Sequence, residues 1–452
     1  MRDDQSATRI VSTGRTGLTT FTAASVGVHR ASTVLFDTLA ETTAAGEAVA
    51  AGTRGVTTYG TVGTPTTMAL MDALCEIEGA GHAVRASLMS SGLGAITTLL
   101  LAVLEPGDHL LVTDSAYGPT RSFCDGLLAR MGIATTYVDP AIGAGIEHLL
   151  RPETKLIWLE SPGSYTFEIQ DVPAICALAR RHGVLTMIDN TWASPVFARP
   201  FDWGVDASMI ALTKYWGGHS DVVLGAAVVR EALWPKLWTA VRQLGQCAGG
   251  DDAWLVLRGL RSIDARMRRH EAGALAVAHW LQTRPEVARV LHPALASHPQ
   301  HALWQRDFSG ASGLFSFELD AGWIGGARAR SPEKRARSPE NSADGPGTHR
   351  PAAAASAVEH DARESAVLAA LCEGRRHFAI GYSWGGFESL IMPARIDHLR
   401  SVTPWTGGPL VRLHIGLEDP ADLIADLEEG FAAMQRAVQD HRTDASVQPH
   451  SR

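Results

Sequence analysis

The chain has 452 residues, 45% hydrophobic and 19% charged, a composition that fits a soluble globular protein with two or three domains. A formal net charge of −8 argues against nucleic acid or an anionic membrane as principal partner. Five widely spaced cysteines (75, 124, 176, 247 and 372) with no Cys-x-x-Cys pair fit free thiols in a reducing cytoplasm, and eighteen histidines without ligand spacing predict no metal.

The N-terminus, Met-Arg-Asp-Asp-Gln, has no apolar signal-like stretch. Residues 1–64 are rich in Thr, Ala and Gly with weak periodicity, and read as an extended arm that packs on something else. From 65 to 260 apolar runs alternate with helical patterns. Strands are expected at Ala83–Met89, His109–Thr113, Lys155–Glu160, Val184–Asp189, Ser208–Thr213 and Leu224–Val229. Helices are expected at Thr66–Glu78, Leu93–Leu104 and Val172–His182. The run Leu93–Leu104 is too short to span a bilayer. This alternation predicts an α/β fold with a mainly parallel sheet covered on both faces, and such sheets bind ligands at the carboxyl ends of their strands. A smaller C-terminal domain, 261–437, opens with an Arg-rich helix and closes with a helical pattern over Asp419–Ala437. Within it, 324–360 carries the repeat Ala-Arg-Ser-Pro-Glu (329–333 and 336–340) and reads as a disordered insertion, as does the tail 438–452.

Lys214 stands out because the chain has four lysines against thirty-six arginines. Arg cannot lose its proton near neutral pH, whereas a desolvated Lys can, and only a neutral amine attacks a carbonyl to form a Schiff base. The plain alternative is an end-of-strand charge. Asp189 ends another strand and could be a turn residue, or a buried carboxylate that keeps a pyridine nitrogen protonated. Ser90-Ser91-Gly92-Leu93-Gly94 lies between strand and helix, where backbone N–H groups can cradle a phosphate; a plain tight turn is the alternative. Tyr117 either packs or stacks on a flat ring, and Arg412, alternating into an apolar strand, needs a carboxylate partner. Together these residues point to pyridoxal 5′-phosphate.

Ile188-Asp189-Asn190-Thr191-Trp192 and Thr213-Lys214-Tyr215, with Gly218-His219-Ser220-Asp221, resemble the Cys/Met metabolism family of pyridoxal-phosphate enzymes, over nearly the whole chain outside 324–360. Within that family Tyr382-Ser383-Trp384-Gly385-Gly386 and Arg412-Leu413-His414-Ile415-Gly416 look like the bacterial β-cleaving lyases; γ-acting members usually carry Leu where Trp384 stands. The resemblance implies a fold type I (aspartate-aminotransferase-like) enzyme, a homotetramer with shared active sites. It implies that Lys214 holds the cofactor and moves the α-proton, Asp189 pairs with the ring nitrogen and Tyr117 stacks on the ring. Gly92, Leu93 and Thr213 would bind the phosphate. Arg412, Ser383 and Trp384 would bind the substrate α-carboxylate, and Tyr59 would reach the neighbouring subunit's site. The implied reaction is β-elimination of L-cystathionine to homocysteine, pyruvate and ammonia. The rivals are γ-elimination or γ-replacement, and a cofactor-binding regulator with weak lyase activity. One departure stands out: relatives have Tyr-x-Arg where this chain has Tyr59-Gly60-Thr61, with Arg54 as a possible substitute for the missing phosphate-binding charge.

Overall fold

The computed structural model describes residues 5–14, 24–324 and 363–447. The expected insertion, apart from its first residue, and the last five residues of the expected tail lie outside these. The large domain holds a seven-stranded sheet built from β1 (Val84–Met89), β2 (His109–Thr113), β3 (Ala134–Val138), β4 (Thr154–Glu160), β5 (Leu185–Asp189), β6 (Ala207–Ala211) and β7 (Gly225–Arg230). Its order is β1-β7-β6-β5-β4-β2-β3, with only β7 antiparallel to its neighbours. Helices cover both faces, so the central strands are largely buried and mostly apolar, and two separate cores form, one on each side.

The helix Pro65–Ile77 starts where the Thr64 and Thr67 side chains cap each other's backbone N–H groups, with Pro65 in its first turn. Asp171 caps Val172–Arg181 in the same way, accepting from the Ala174 N–H. Strand β3 has no counterpart among the expected strands. It is the sheet's edge and buries one residue of five, so its apolar signal is weak. The expected extended arm contains two helices, Ser6–Ser12 and Leu39–Ala50, each with a single buried residue.

The small domain carries a five-stranded sheet, β10-β11-β12-β9-β8, from β8 (Val287–Leu291), β9 (Leu314–Leu319), β10 (Phe378–Ala379), β11 (Ser389–Ala394) and β12 (Leu410–His414). The long helices Ile263–Leu281 and Pro420–Val447 pack together over it around Phe315, Phe317 and Phe431. The second helix runs ten residues past the expected Ala437, through stretch 438–447, which the sequence reading assigned to a disordered tail. No helix among the described residues is long and apolar enough to cross a membrane.

Candidate active site

Because β1, β2, β4, β5 and β6 run the same way, their carboxyl ends share one edge of the sheet. In register across that edge lie Met89 with Gly225, Gly225 with Ala211, and Asp189 with Glu160. The turns leaving it bring Gly92, Tyr117, Asp189 and Lys214 to one place. Lys214 sits three residues beyond the end of β6, in a turn closed by its own N–H to the Ala211 carbonyl at 3.0 Å.

The Lys214 amine donates to Ser383 Oγ at 2.7 Å and lies 5.1 Å from the centre of the Trp384 ring. Burial pushes its pKa down to about 8; Arg412 adds to this and Asp189 opposes it. The amine is therefore half neutral near pH 8 instead of 10.5, so a usable fraction is in the state a nucleophile or base requires near neutral pH. Asp189 accepts the Thr191 N–H at 2.9 Å, and burial raises its pKa. A cationic ring nitrogen beside it would reverse that effect. Tyr117 is 44% exposed, and its hydroxyl is raised by burial and then by Asp189. Its backbone N–H donates to Glu160 Oε2 at 2.7 Å, so the neighbouring strand end fixes where the ring stands.

The phosphate cradle fits as well. Ser91 caps the helix Gly92–Val103 by accepting from Gly94, leaving the first-turn N–H groups of Gly92 and Leu93 without a partner among the described residues. Gly92 is required by close approach: a Cβ there would lie 2.8 Å from that of Ala211. The Thr213 hydroxyl accepts the Leu224 N–H at 3.0 Å and donates to the Leu224 carbonyl at 3.2 Å. Leu224 adjoins Gly225, where a Cβ would lie 2.8 Å from the Gly92 N, so Thr213 is tied to the strand that borders the cradle.

Arg412, on β12, uses Nη2 to donate to the carbonyls of Gly381, Tyr382 and Ser383 at 3.1, 3.2 and 3.3 Å. Its Nε and Nη1 make no hydrogen bond among the described residues and keep donors for a carboxylate, although either bidentate edge of the guanidinium also includes the engaged Nη2. Tyr59 is half exposed and joined to Thr33 by an isolated bridge; nothing described links it to Lys214 in the same chain. Arg54 does not stand in for the missing arginine within this chain's own site. It donates to the Val84 carbonyl at 2.6 Å, at the far end of β1 from Gly92.

Several residues of the site had no expected role. Glu160 was noted only as a strand end, yet it holds Tyr117 and accepts from Ser164 at 2.7 Å; burial and then Asp189 raise its pKa. Tyr165 lies 5.8 Å from the Arg412 guanidinium. His414 appeared only as part of a motif.

The family described as Cys/Met metabolism PLP-dependent enzyme matches residues 7–332 and 354–432. A putative cystathionine β-lyase of Rhizobium johnstonii is 49% identical over 83% of this chain and 85% of its own. The cystathionine β-lyase MetC of Escherichia coli is 39% identical over 96% and 99%. The solved structure of a cystathionine γ-synthase from Xanthomonas oryzae in complex with cystathionine superimposes with a TM-score of 0.77 at 31% identity, covering 96% of this chain and 99% of that one. A family match over most of the chain, with a cradle, a carboxylate and a desolvated lysine that suit the cofactor, leads to one conclusion: this chain belongs to the Cys/Met metabolism family of PLP-dependent enzymes and works with pyridoxal 5′-phosphate.

Proposed function

We propose that the protein is a carbon–sulfur lyase that cleaves L-cystathionine at its β-carbon, releasing homocysteine, pyruvate and ammonia. The observation that carries the reading is likeness over 96% of the chain to an enzyme named cystathionine β-lyase. A second support is Trp384, which stands beside the Lys214 amine where γ-acting relatives usually carry Leu.

The bound cofactor supplies the electron sink for the carbon from which a proton is taken. Asp189 keeps the ring nitrogen protonated, and Gly92 and Leu93 hold the phosphate. Tyr117 lies on the ring face. Arg412 grips the α-carboxylate, with Ser383 and Trp384 lining the same wall. Lys214, neutral in its desolvated position, takes the α-proton at Nζ. Lys214 or Tyr117 then gives a proton to the departing thiolate sulfur.

The chain acts as a homotetramer in the cytoplasm, with Tyr59 entering the partner's site. The exposure of Leu35, Leu39 and Tyr59 supports an arm that packs on a partner, since large apolar side chains left open along one stretch of chain suit a partner surface. The deciding experiment feeds L-cystathionine and identifies the keto acid. Pyruvate supports β-cleavage; 2-oxobutyrate means γ-cleavage and overturns it.

A further inference from the structure

Arg412 and His414 are two residues apart on β12, so both side chains leave the same face of the sheet. Arg412 holds the carbonyls of 381–383. His414 is fully buried; its Nε2 accepts the Gly385 N–H at 3.0 Å and its Nδ1 lies 3.0 Å from the Glu388 carbonyl. An amide N–H can only donate and a carbonyl can only accept. The ring is therefore neutral, with its proton on Nδ1. Between them the two side chains hold five backbone groups of segment 381–388, which carries Ser383 and Trp384.

The histidine itself is held. Its ring lies 5.9 Å from Tyr215 and 5.3 Å from His270, and Tyr215 lies 5.6 Å from Trp384. Tyr215 follows Lys214 directly. Its hydroxyl accepts the Gly313 N–H at 3.0 Å, so this aromatic group is anchored at its far side too. Gly385 adopts φ 88°, and a Cβ there would lie 3.0 Å from the Lys214 Cα. Gly385 therefore packs directly against the lysine turn.

A substrate carboxylate arriving at Arg412 competes for the guanidinium that also holds the 381–383 carbonyls. Something else must then keep the segment in place, and His414, buried from solvent on the same strand, holds it at Gly385 and Glu388. We infer that His414 is a positioning residue for the α-carboxylate site: it fixes Gly385 and Glu388 so that Ser383 and Trp384 stay against Lys214 while Arg412 binds substrate. This rests on the proposed role of Arg412.

The test titrates the holoenzyme with L-alanine and with ethylamine, following the cofactor's absorbance. The two ligands share an amine and differ in the carboxylate, and neither has a group to eliminate. His414→Asn keeps a donor toward Glu388 but leaves the Gly385 N–H unpaired. It should weaken L-alanine on the order of tenfold, the effect of one lost buried hydrogen bond, and leave ethylamine within about twofold. His414→Gln, whose carbonyl can reach Gly385, should weaken L-alanine by only about two- to fivefold, again sparing ethylamine. Equal weakening of both ligands, or of neither, in a folded variant overturns the inference. Should His414→Asn fail to fold, His414→Gln decides by the same criterion. If the parent makes no pyruvate from cystathionine, the substrate assignment falls while this comparison still reads.

Discussion

Asp114 accepts the backbone N–H of Thr403 at 2.9 Å across 289 positions of the chain. The same carboxylate accepts from the N–H groups of Ser401 and Val402 and the hydroxyls of Ser401 and Thr403, and pairs with Arg121 at 2.9 Å. It lies three residues before Tyr117, so it ties the turn that carries Tyr117 in the large domain to a loop of the small one. Arg400 of that loop reaches the Ser164 carbonyl at 3.0 Å, on the turn whose Ser164 hydroxyl holds Glu160. Domain seating and the position of Tyr117 are therefore one structural event.

Asp114→Asn should destabilise the protein by about 3 kcal/mol, because it leaves Arg121 buried with no anionic partner and turns an amide toward donors. Burial alone would raise the Asp114 pKa, but the Thr403, Ser401 and Val402 donors outweigh it and hold it at about 2, below its ordinary 3.8. A depressed carboxylate stabilises the fold above its unfolded pKa, and that contribution is lost as pH falls from about 4 through about 2. Its size is about 2 kcal/mol. Thermal melts of parent and variant between pH 2 and pH 7 should converge toward the acid end; a constant gap would contradict the linkage.

Lys214 titrates near 8 chiefly because it is buried, so its free amine grows as pH rises through 8 rather than 10.5. In cofactor-stripped enzyme, the rate of covalent recapture of pyridoxal phosphate should rise with a midpoint near pH 8. Arg412→Met removes the second cause of the lowering and should move that midpoint up. Lys214→Ala should abolish borohydride trapping and reduce pyruvate formation by at least about 10³-fold, the scale of a lost acid–base group. Turnover within tenfold of the parent would remove Lys214 from the chemistry.

The residues at strand ends were legible because a parallel sheet announces itself: short apolar runs, each stopped by a polar residue. Asp189, Tyr117 and Gly92 were found that way, Lys214 by the scarcity of lysine together with its place after a strand, and the structure brings them to one edge. Strand β3 was silent because an edge strand buries little, and helix Leu39–Ala50 because only Val49 is buried within it. Glu160 and His414 escaped a role for another reason. Their partners, Tyr117 and Gly385, are 43 and 29 residues away, and no local spacing encodes a bond from a side chain to a distant backbone N–H.

Arg412→Lys keeps the charge but loses the planar fork, which both grips a carboxylate and holds the 381–383 carbonyls. KM for cystathionine should rise on the order of 10²-fold, about 3 kcal/mol, with kcat falling much less. Steady-state kinetics at saturating substrate separates the two. A loss confined to kcat would mean that Arg412 serves the reaction without binding the carboxylate.

Thr61 bears on how tightly the cofactor is held. Arg54 is engaged with Val84, and the described cradle at Gly92 and Leu93 consists of backbone N–H groups carrying no full charge. Thr61 is exposed in this chain, and in the proposed oligomer it would face the partner's phosphate. Thr61→Arg should then add a charge-assisted contact of about 1.5–3 kcal/mol, tightening pyridoxal-phosphate binding at least about tenfold. Titration of stripped enzyme with cofactor at low and moderate salt measures it. The gain should shrink as salt screens the new pair. An unchanged dissociation constant would place position 61 away from the phosphate and count against an arm shared between subunits.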